Sequence, residues 1–233
     1  MSGSWRICGV ALALMIVIAL PGLADDGDEY TPPQPPDPIS CEFNQGLSAC
    51  PVQFDLYFNL VFVQASINSN TGCWFIVDSG FEYSLLNMDR LPELGLTAGI
   101  SATDAQPGGE VEVAEVTDVS ISFPCLDVRF DQIKAIPLAG LEPIVGRRID
   151  GILGHDIFSR MVVEIDYQLE QMTFHYAKGF KYLGGGEIIP VTFKDNEAFF
   201  VAEIIQPERV PIEAKLKLDT GSSDFIGFNG SFV

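Results

Sequence analysis

The sequence predicts a mostly β protein made of two related halves, the second shorter than the first, and three observations predict it. Short apolar or alternating runs recur between Gly, Pro, Asn and Asp punctuation, while helical runs are few and short. A series of strand-like runs near the start of the body returns in the same order about 140 residues later, a period too long for a solenoid and suited to two lobes. With 233 residues, 47% of them hydrophobic and 17 of them Phe, the chain can bury a proper core, which excludes disorder as its main state.

Charge narrows the partners. The chain carries 13 Lys and Arg against 32 Asp and Glu, a formal net charge of −19. A phosphate backbone is bound through clusters of basic residues, so no nucleic acid partner is expected, and an anionic membrane surface is excluded for the same reason.

Taken in chain order, Arg6 precedes eleven apolar residues, Val10 to Leu20, and Pro21-Gly-Leu-Ala24 then offers small residues for a cut after Ala24. Residues 1–24 therefore read as a signal that sends the protein to a secreted or periplasmic location. The apolar run falls short of the ~20 residues that span a bilayer, so no membrane attachment is expected once it is removed. Residues 25–50 read as a spacer, acidic at Asp25 to Glu29 and Pro-rich from Thr31 to Pro38. Beyond the signal four cysteines remain, Cys41, Cys50, Cys73 and Cys125, an even set that suits an oxidising compartment. They allow three pairings, of which Cys41 with Cys50 and Cys73 with Cys125 is preferred.

Residues 51–183 read as a first lobe. Its strand-like runs include Leu60 to Ile67, Trp74 to Val77, Val111 to Val116, Val119 to Phe123 and Met161 to Ile165, with short helices expected near Met88 to Leu94 and His155 to Arg160. Gly184-Gly-Gly186 is a joint, and residues 187–233 read as the start of a second lobe. Pro51-Val-Gln-Phe54 is echoed by Pro190-Val-Thr-Phe193, Val61-Phe-Val-Gln-Ala65 by Phe199-Phe-Val-Ala-Glu203, and Trp74 to Gly80 by Lys215 to Gly221. Gly154 stands 76 positions after Asp78, whereas 14 residues follow Asp219. The second lobe is thus expected to be unfinished and its strands poorly formed for want of a sheet.

Each half brings an apolar strand into an Asp-hydroxyl-Gly turn: Asp78-Ser79-Gly80 and Asp219-Thr220-Gly221. A strand holds the acid in place, a Gly permits the tight turn, and a hydroxyl can hydrogen-bond across to lock it. In this the sequence resembles the aspartic peptidases, both the two-lobed pepsin-like kind and the single-lobed retropepsin-like kind found in bacteria. Asp150-Gly-Ile-Leu-Gly154 resembles that family's second signature, two apolar residues and a Gly on a strand passing beneath the Asp loop, and Gly154-His-Asp-Ile-Phe158 resembles the helix that follows.

The resemblance implies an acid-protease β-barrel lobe and an endopeptidase that needs neither metal nor other cofactor. Asp78 and Asp219 would share a proton and activate a water, Ser79 and Thr220 would brace their loops, and Gly80 and Gly221 would permit them. An extended polypeptide is the implied substrate. A homodimer pairing Asp78 of two chains, as in the retropepsin-like kind, and a catalytically impaired module that binds extended peptides without cutting are the alternatives. The Gly-Gly turn within Asp104 to Glu112 suits a substrate flap, with its tip at Pro107, Gly108, Gly109 and Glu110. In one respect the chain departs from the family: Phe81-Glu82 puts a bulky ring and a further carboxyl where a small residue is usual. The two histidines, His155 and His175, stand far from the cysteines and read as surface or capping groups.

Overall fold

The computed structural model describes residues 15–18, 39–99, 102–106, 109–205 and 208–227. In chain order the strands are β1 (Met15–Ile18), β2 (Ile39–Phe43), β3 (Ala49–Tyr57), β4 (Leu60–Ile67), β5 (Asn70–Val77), β6 (Leu85–Asn87), β7 (Ala102–Gln106), β8 (Gly109–Phe123) and β9 (Leu126–Ile136). A single-turn helix α1 (Glu142–Val145), strand β10 (Gly151–Leu153) and a second turn α2 (His155–Phe158) follow. The chain then runs through β11 (Met161–Asp166), β12 (Gln171–Tyr176), β13 (Thr192–Lys194), β14 (Glu197–Ile204) and β15 (Ile212–Lys217). The protein is mostly β, as its punctuation predicts. β1 to β12 form one mixed sheet in the order β1-β11-β12-β3-β4-β5-β10-β6-β9-β8-β7, with β2 beside β9 and β8 also meeting β4. The strands β13, β14 and β15 form a separate antiparallel sheet.

β4 and β5 lie at the centre and are covered on both faces, which is why β4 opens with an unbroken apolar run rather than an alternating one. Val61, Val63, Ala65 and Ile67 face the large core together with Cys73, Phe75 and Val77. Leu60, Phe62 and Ile76 face the other way, into a smaller core with Leu85, Leu138, Val145, Ile149 and Ile152. The last residue of β6 is Asn87, wholly buried, whose amide donates to Ile149 O at 2.7 Å and accepts from Leu138 N–H at 3.0 Å. The two runs expected at Val111 and Val119 are one strand, with Asp118 at φ 57° between them. The expected helix at Met88 is only a 3-10 turn, Met88–Arg90, while α1 was not foreseen; Pro143 opens it and Gly146, at φ 78°, closes it.

Four further expectations need correction. Within the expected 25–50 spacer, Ile39–Phe43 and Ala49–Cys50 are strand in the main sheet, since β2 pairs with β9, Cys41 opposite Val128, and β3 begins at Ala49. The second half, whose strands were expected to be poorly formed for want of a sheet, makes a three-stranded sheet of its own. The disulfide is Cys50–Cys125, with Cα atoms 5.4 Å apart, and Cys41 and Cys73 are free. Spacing along the chain does not report which cysteines a curled sheet brings to one end: Cys125 lies in the β8–β9 turn beside β3, whereas Cys73 faces the interior opposite Ala65. Burial pushes the Cys41 thiol up to about 11 against the pull of Arg160, and raises that of Cys73 as well.

The fourth correction concerns the register of the repeat. Phe58 and Asn59, at φ 52° and 60°, turn β3 into β4; Asp195 and Asn196, at φ 51° and 63°, turn β13 into β14. Two consecutive positive φ values mark a type I′ hairpin, which fixes register on both flanks. Phe62 then pairs with Ile76 and Phe199 with Lys217, each partner two residues before its Asp. Val61 therefore corresponds to Ala198 rather than Phe199, and Leu56 rather than Phe54 to Phe193. A slip of one residue exchanges the two faces, and Val61 and Ala198 are indeed both buried. Of the segment read as a signal, Met15–Ile18 pairs antiparallel with β11; residues 1–14 and 19–38 lie outside the described residues.

Replacing Cys50 and Cys125 together by Ser, which opens a link across 75 positions of sequence, is expected to destabilise the protein by about 2–5 kcal/mol. Urea unfolding with and without reductant measures this, and equal midpoints for the two proteins under oxidising conditions would refute the pairing.

Candidate active site

β5 delivers Asp78 and β10 holds it from below. β10 runs parallel to β5 with Gly151 opposite Phe75 and Leu153 opposite Val77, and Leu153 O accepts the Asp78 N–H at 2.9 Å. A Cβ at Gly151 would stand 2.5 Å from Leu85 O and 2.6 Å from the Phe75 ring, so only Gly lets the two strands approach. Just before it, the wholly buried Asp150 accepts the Trp74 N–H at 2.8 Å and the Arg148 guanidinium at 2.7 Å, which pins the crossing strand. The element expected at Asp150 to Gly154 thus lies beneath the first Asp loop.

The second loop leaves β15 at Leu218, the residue just past the strand, whose N–H donates to Ala198 O at 2.8 Å. It meets the first loop in a reciprocal set of four hydrogen bonds. The Ser79 N–H donates to Thr220 Oγ1 at 3.0 Å, and the Thr220 N–H donates to Ser79 Oγ at 3.1 Å. Each hydroxyl then donates to the carbonyl preceding the other loop's acid: Ser79 Oγ to Leu218 O at 3.1 Å, Thr220 Oγ1 to Val77 O at 2.8 Å. Both hydroxyl residues are buried, so these bonds are made where unpaired polar groups would be costly.

The acids come together above this clasp. Asp78 Oδ1 accepts the Gly80 N–H and Asp219 Oδ1 the Gly221 N–H, each at 2.9 Å. The glycines face across: a Cβ at Gly80 would stand 2.5 Å from Asp219 Cγ, and one at Gly221 would collide with the Asp78 carboxyl. Asp78 is half-buried and Asp219 more exposed. Burial, then the charge of Asp219, and further a hydrogen bond to that carboxyl push Asp78 up to about 7, against the Gly80 N–H and the charge of Lys217. Two carboxyl groups this close hold one proton between them over a wide pH range.

No family model matches the chain, and no curated protein does. Among solved structures, the chain is similar to a retropepsin-like aspartic protease from Rickettsia conorii, at 14% identity over 61% of this chain and 98% of that one, with a TM-score of 0.38. The chemistry of the site rests on its own residues.

Phe81 turns toward the smaller core, packing edge-on against Tyr83 with ring centroids 5.5 Å apart, while Glu82 is exposed and is not among the charges acting on Asp78. The loop they form is tied down at its end: Ser84 Oγ accepts the Gly154 N–H at 2.9 Å and donates to Asp156, and the Phe81 carbonyl accepts the His155 N–H at 2.9 Å. In the segment read from sequence as a flap, β7 pairs antiparallel with β8, Gln106 opposite Gly109 and Ala105 opposite Glu110; Pro107 and Gly108 lie outside the described residues. His155 begins α2 and its ring meets Phe193 at 5.6 Å, burial lowering its affinity for a proton. His175, on β12, is paired with Glu164 at 2.7 Å. Among the described residues no group of three or more His, Cys, Asp or Glu could hold a metal ion.

Two parts of the site escaped sequence reasoning. Asn59 in the β3–β4 turn donates to Ser223 O at 3.0 Å and so ties the first half to the chain beyond the second loop. Lys217 stands beside Asp219, and its signal was present in the repeat, where Ile76 holds the corresponding place.

Thr220→Val removes one hydroxyl of the clasp and leaves the Ser79 N–H and Val77 carbonyl unpaired; a loss of about 1–3 kcal/mol is expected in urea unfolding, and no loss would show the clasp to be dispensable. Asp78, raised from 3.8 to about 7 on folding, favours the protonated fold, so its stabilising contribution is full below pH 3.8 and disappears as pH rises through about 7. The unfolding free energy of the wild type relative to Asp78→Asn is therefore expected to fall across that window. A difference that stays flat would mean that Asp78 is not so perturbed.

Proposed function

We propose that this chain is an exported aspartic endopeptidase that hydrolyses polypeptides through the Asp78–Asp219 pair. The observation that carries the reading is the reciprocal clasp of the two Asp-hydroxyl-Gly loops, which sets two carboxyl groups against each other within one chain. As pH falls through about 7 the ionised pair takes up one shared proton, with Asp78 the favoured carrier. The ionised carboxylate takes a proton from a water bound between the two, and that water's oxygen attacks the amide carbonyl. The protonated acid donates to the carbonyl oxygen and stabilises its developing charge. As the tetrahedral species collapses, the proton taken from the water passes to the leaving nitrogen and the C–N bond breaks. No covalent intermediate forms and no metal is required. The disulfide supports an oxidising destination, secreted or periplasmic.

A second reading has one observation in its favour. β13 and β15 are outer strands of their sheet among the described residues, and such edges accept an extended peptide by strand addition without cutting it. The homodimer reading, with Asp78 from two chains, has less support, because the Asp219 loop already occupies the position facing Asp78.

Asp78→Asn and Asp219→Asn are each expected to lower kcat/KM on an unfolded protein substrate by roughly 10²–10⁴-fold, and wild-type cleavage is expected to decline as pH rises through about 7. Peptide affinity without cleavage at any pH would favour the binding module. A silent Asp219→Asn beside an inactive Asp78→Asn in a dimeric protein would favour pairing between chains.

A further inference from the structure

The two halves present their acids alike, yet the residue two places before each differs. In the first half it is Ile76, buried in the smaller core; in the second it is Lys217, whose Nζ lies 4.0 Å from Asp219 Oδ2. The substitution belongs to a changed face. Leu60, Phe62 and Ile76 bury that side of the first half, whereas the corresponding side of the second carries Glu197, Phe199 and Lys217 with Lys215 beside them. Lys217 is solvent-accessible but tethered, its ammonium 2.6 Å from Glu197 Oε1 across the strand pair. Lys215 turns aside onto the Phe199 ring, 4.6 Å from its centroid, and Lys194, opposite Glu197 in register, stands 4.0 Å from Asp195. The charged groups bearing on Asp219 are thus Asp78 from the first half and Lys217 from its own strand, with Glu197 on β14 acting through Lys217.

We propose that Lys217, anchored by Glu197, is a positioning residue that keeps the negative charge of the pair on Asp219, so that Asp219 is the base and Asp78 the acid. The inference deepens the endopeptidase reading and rests on it for the roles named. An ammonium 4.0 Å from one of two closely placed carboxyl groups breaks their near-equivalence, because a cation stabilises most the carboxylate nearest to it. The more deeply placed Asp78 favours the neutral form for the complementary reason, desolvation. A pair so biased has one productive arrangement of its proton instead of two, which orients the attacking water toward the Asp219 side.

The test is a carbon NMR titration of the Asp side chains in the full chain, run beside cleavage assays over the same pH range. In the wild type the first ionisation of the pair is expected to move the Asp219 carboxyl signal and leave that of Asp78 in place. Lys217→Met is expected to raise the pH of that first step by about 0.5–1 unit and to spread its signal over both acids. Lys217→Arg restores the order, Lys215→Met leaves it unchanged, and Lys217→Gln serves if the Met variant does not fold. Where cleavage occurs, the acid limb of kcat/KM moves with the first step. A first charge on Asp78, or a first step unmoved by loss of Lys217, overturns the inference whatever the cleavage result. Absence of cleavage by a wild type that titrates in the expected order instead overturns the endopeptidase reading and leaves the charge assignment standing.

Discussion

The hydroxyl exchange between Ser79 and Thr220 is the constraint on which the rest of the molecule depends. It joins two sheets that share no strand pairing, and each of its four bonds begins in one half and ends in the other. Without it the three-stranded sheet would be tethered to the main body chiefly by lighter contacts such as His155 against Phe193 and Asn59 with Ser223. With it, two acids that repel each other when ionised are held at a separation neither would choose. The repulsion is relieved by retaining a proton, and the raised affinity of Asp78 for that proton is the chemical consequence of a mechanical junction.

The surroundings of the first acid are built to resist that repulsion. β10 beneath it is pinned by Asp150 and Arg148, the following loop is tied by Ser84 and Asp156, and Phe81 turns into the smaller core with Tyr83. The bulky ring of Phe81 and the carboxyl of Glu82 are therefore accommodated by folding the ring inward and the acid outward. The second acid has no crossing strand described beneath it; beyond the clasp its loop is held by the Leu218 to Ala198 bond, by the Gly221 N–H on Asp219 and by Asn59 on Ser223, with a lysine close by.

Much of this was legible in the sequence where a single physical rule decides. The bounds of β4, Leu60 to Ile67, follow from an apolar run closed by turn residues, and the paired Asp loops follow from a repeated strand-acid-hydroxyl-glycine order. What was not legible depends on choices the chain makes in three dimensions. The Cys50–Cys125 link depends on which end of the sheet each strand reaches, and spacing is silent on that. The offset of the echo depends on two type I′ turns, Phe58-Asn59 and Asp195-Asn196, which share Asn in second place but stand 137 residues apart while the two acids stand 141 apart, so an echo aligned on the flanking strands misses them. β2 escaped notice because the prolines just before it suggested a spacer running through to the first clear strand. Lys217 was visible but became meaningful only once its neighbour was known.

The crossed placement of the glycines has a consequence for how this protein can vary. Because Gly80 abuts the acid of the opposite loop and Gly221 does the same in return, the space at either position is owned by the other half. A methyl group added on one side would have to be absorbed by a shift on the far side, so tolerance at 80 is decided at 219 and tolerance at 221 is decided at 78. The halves are coupled in what they can become as well as in what they do, and neither can drift in sequence at its centre while its counterpart stands still.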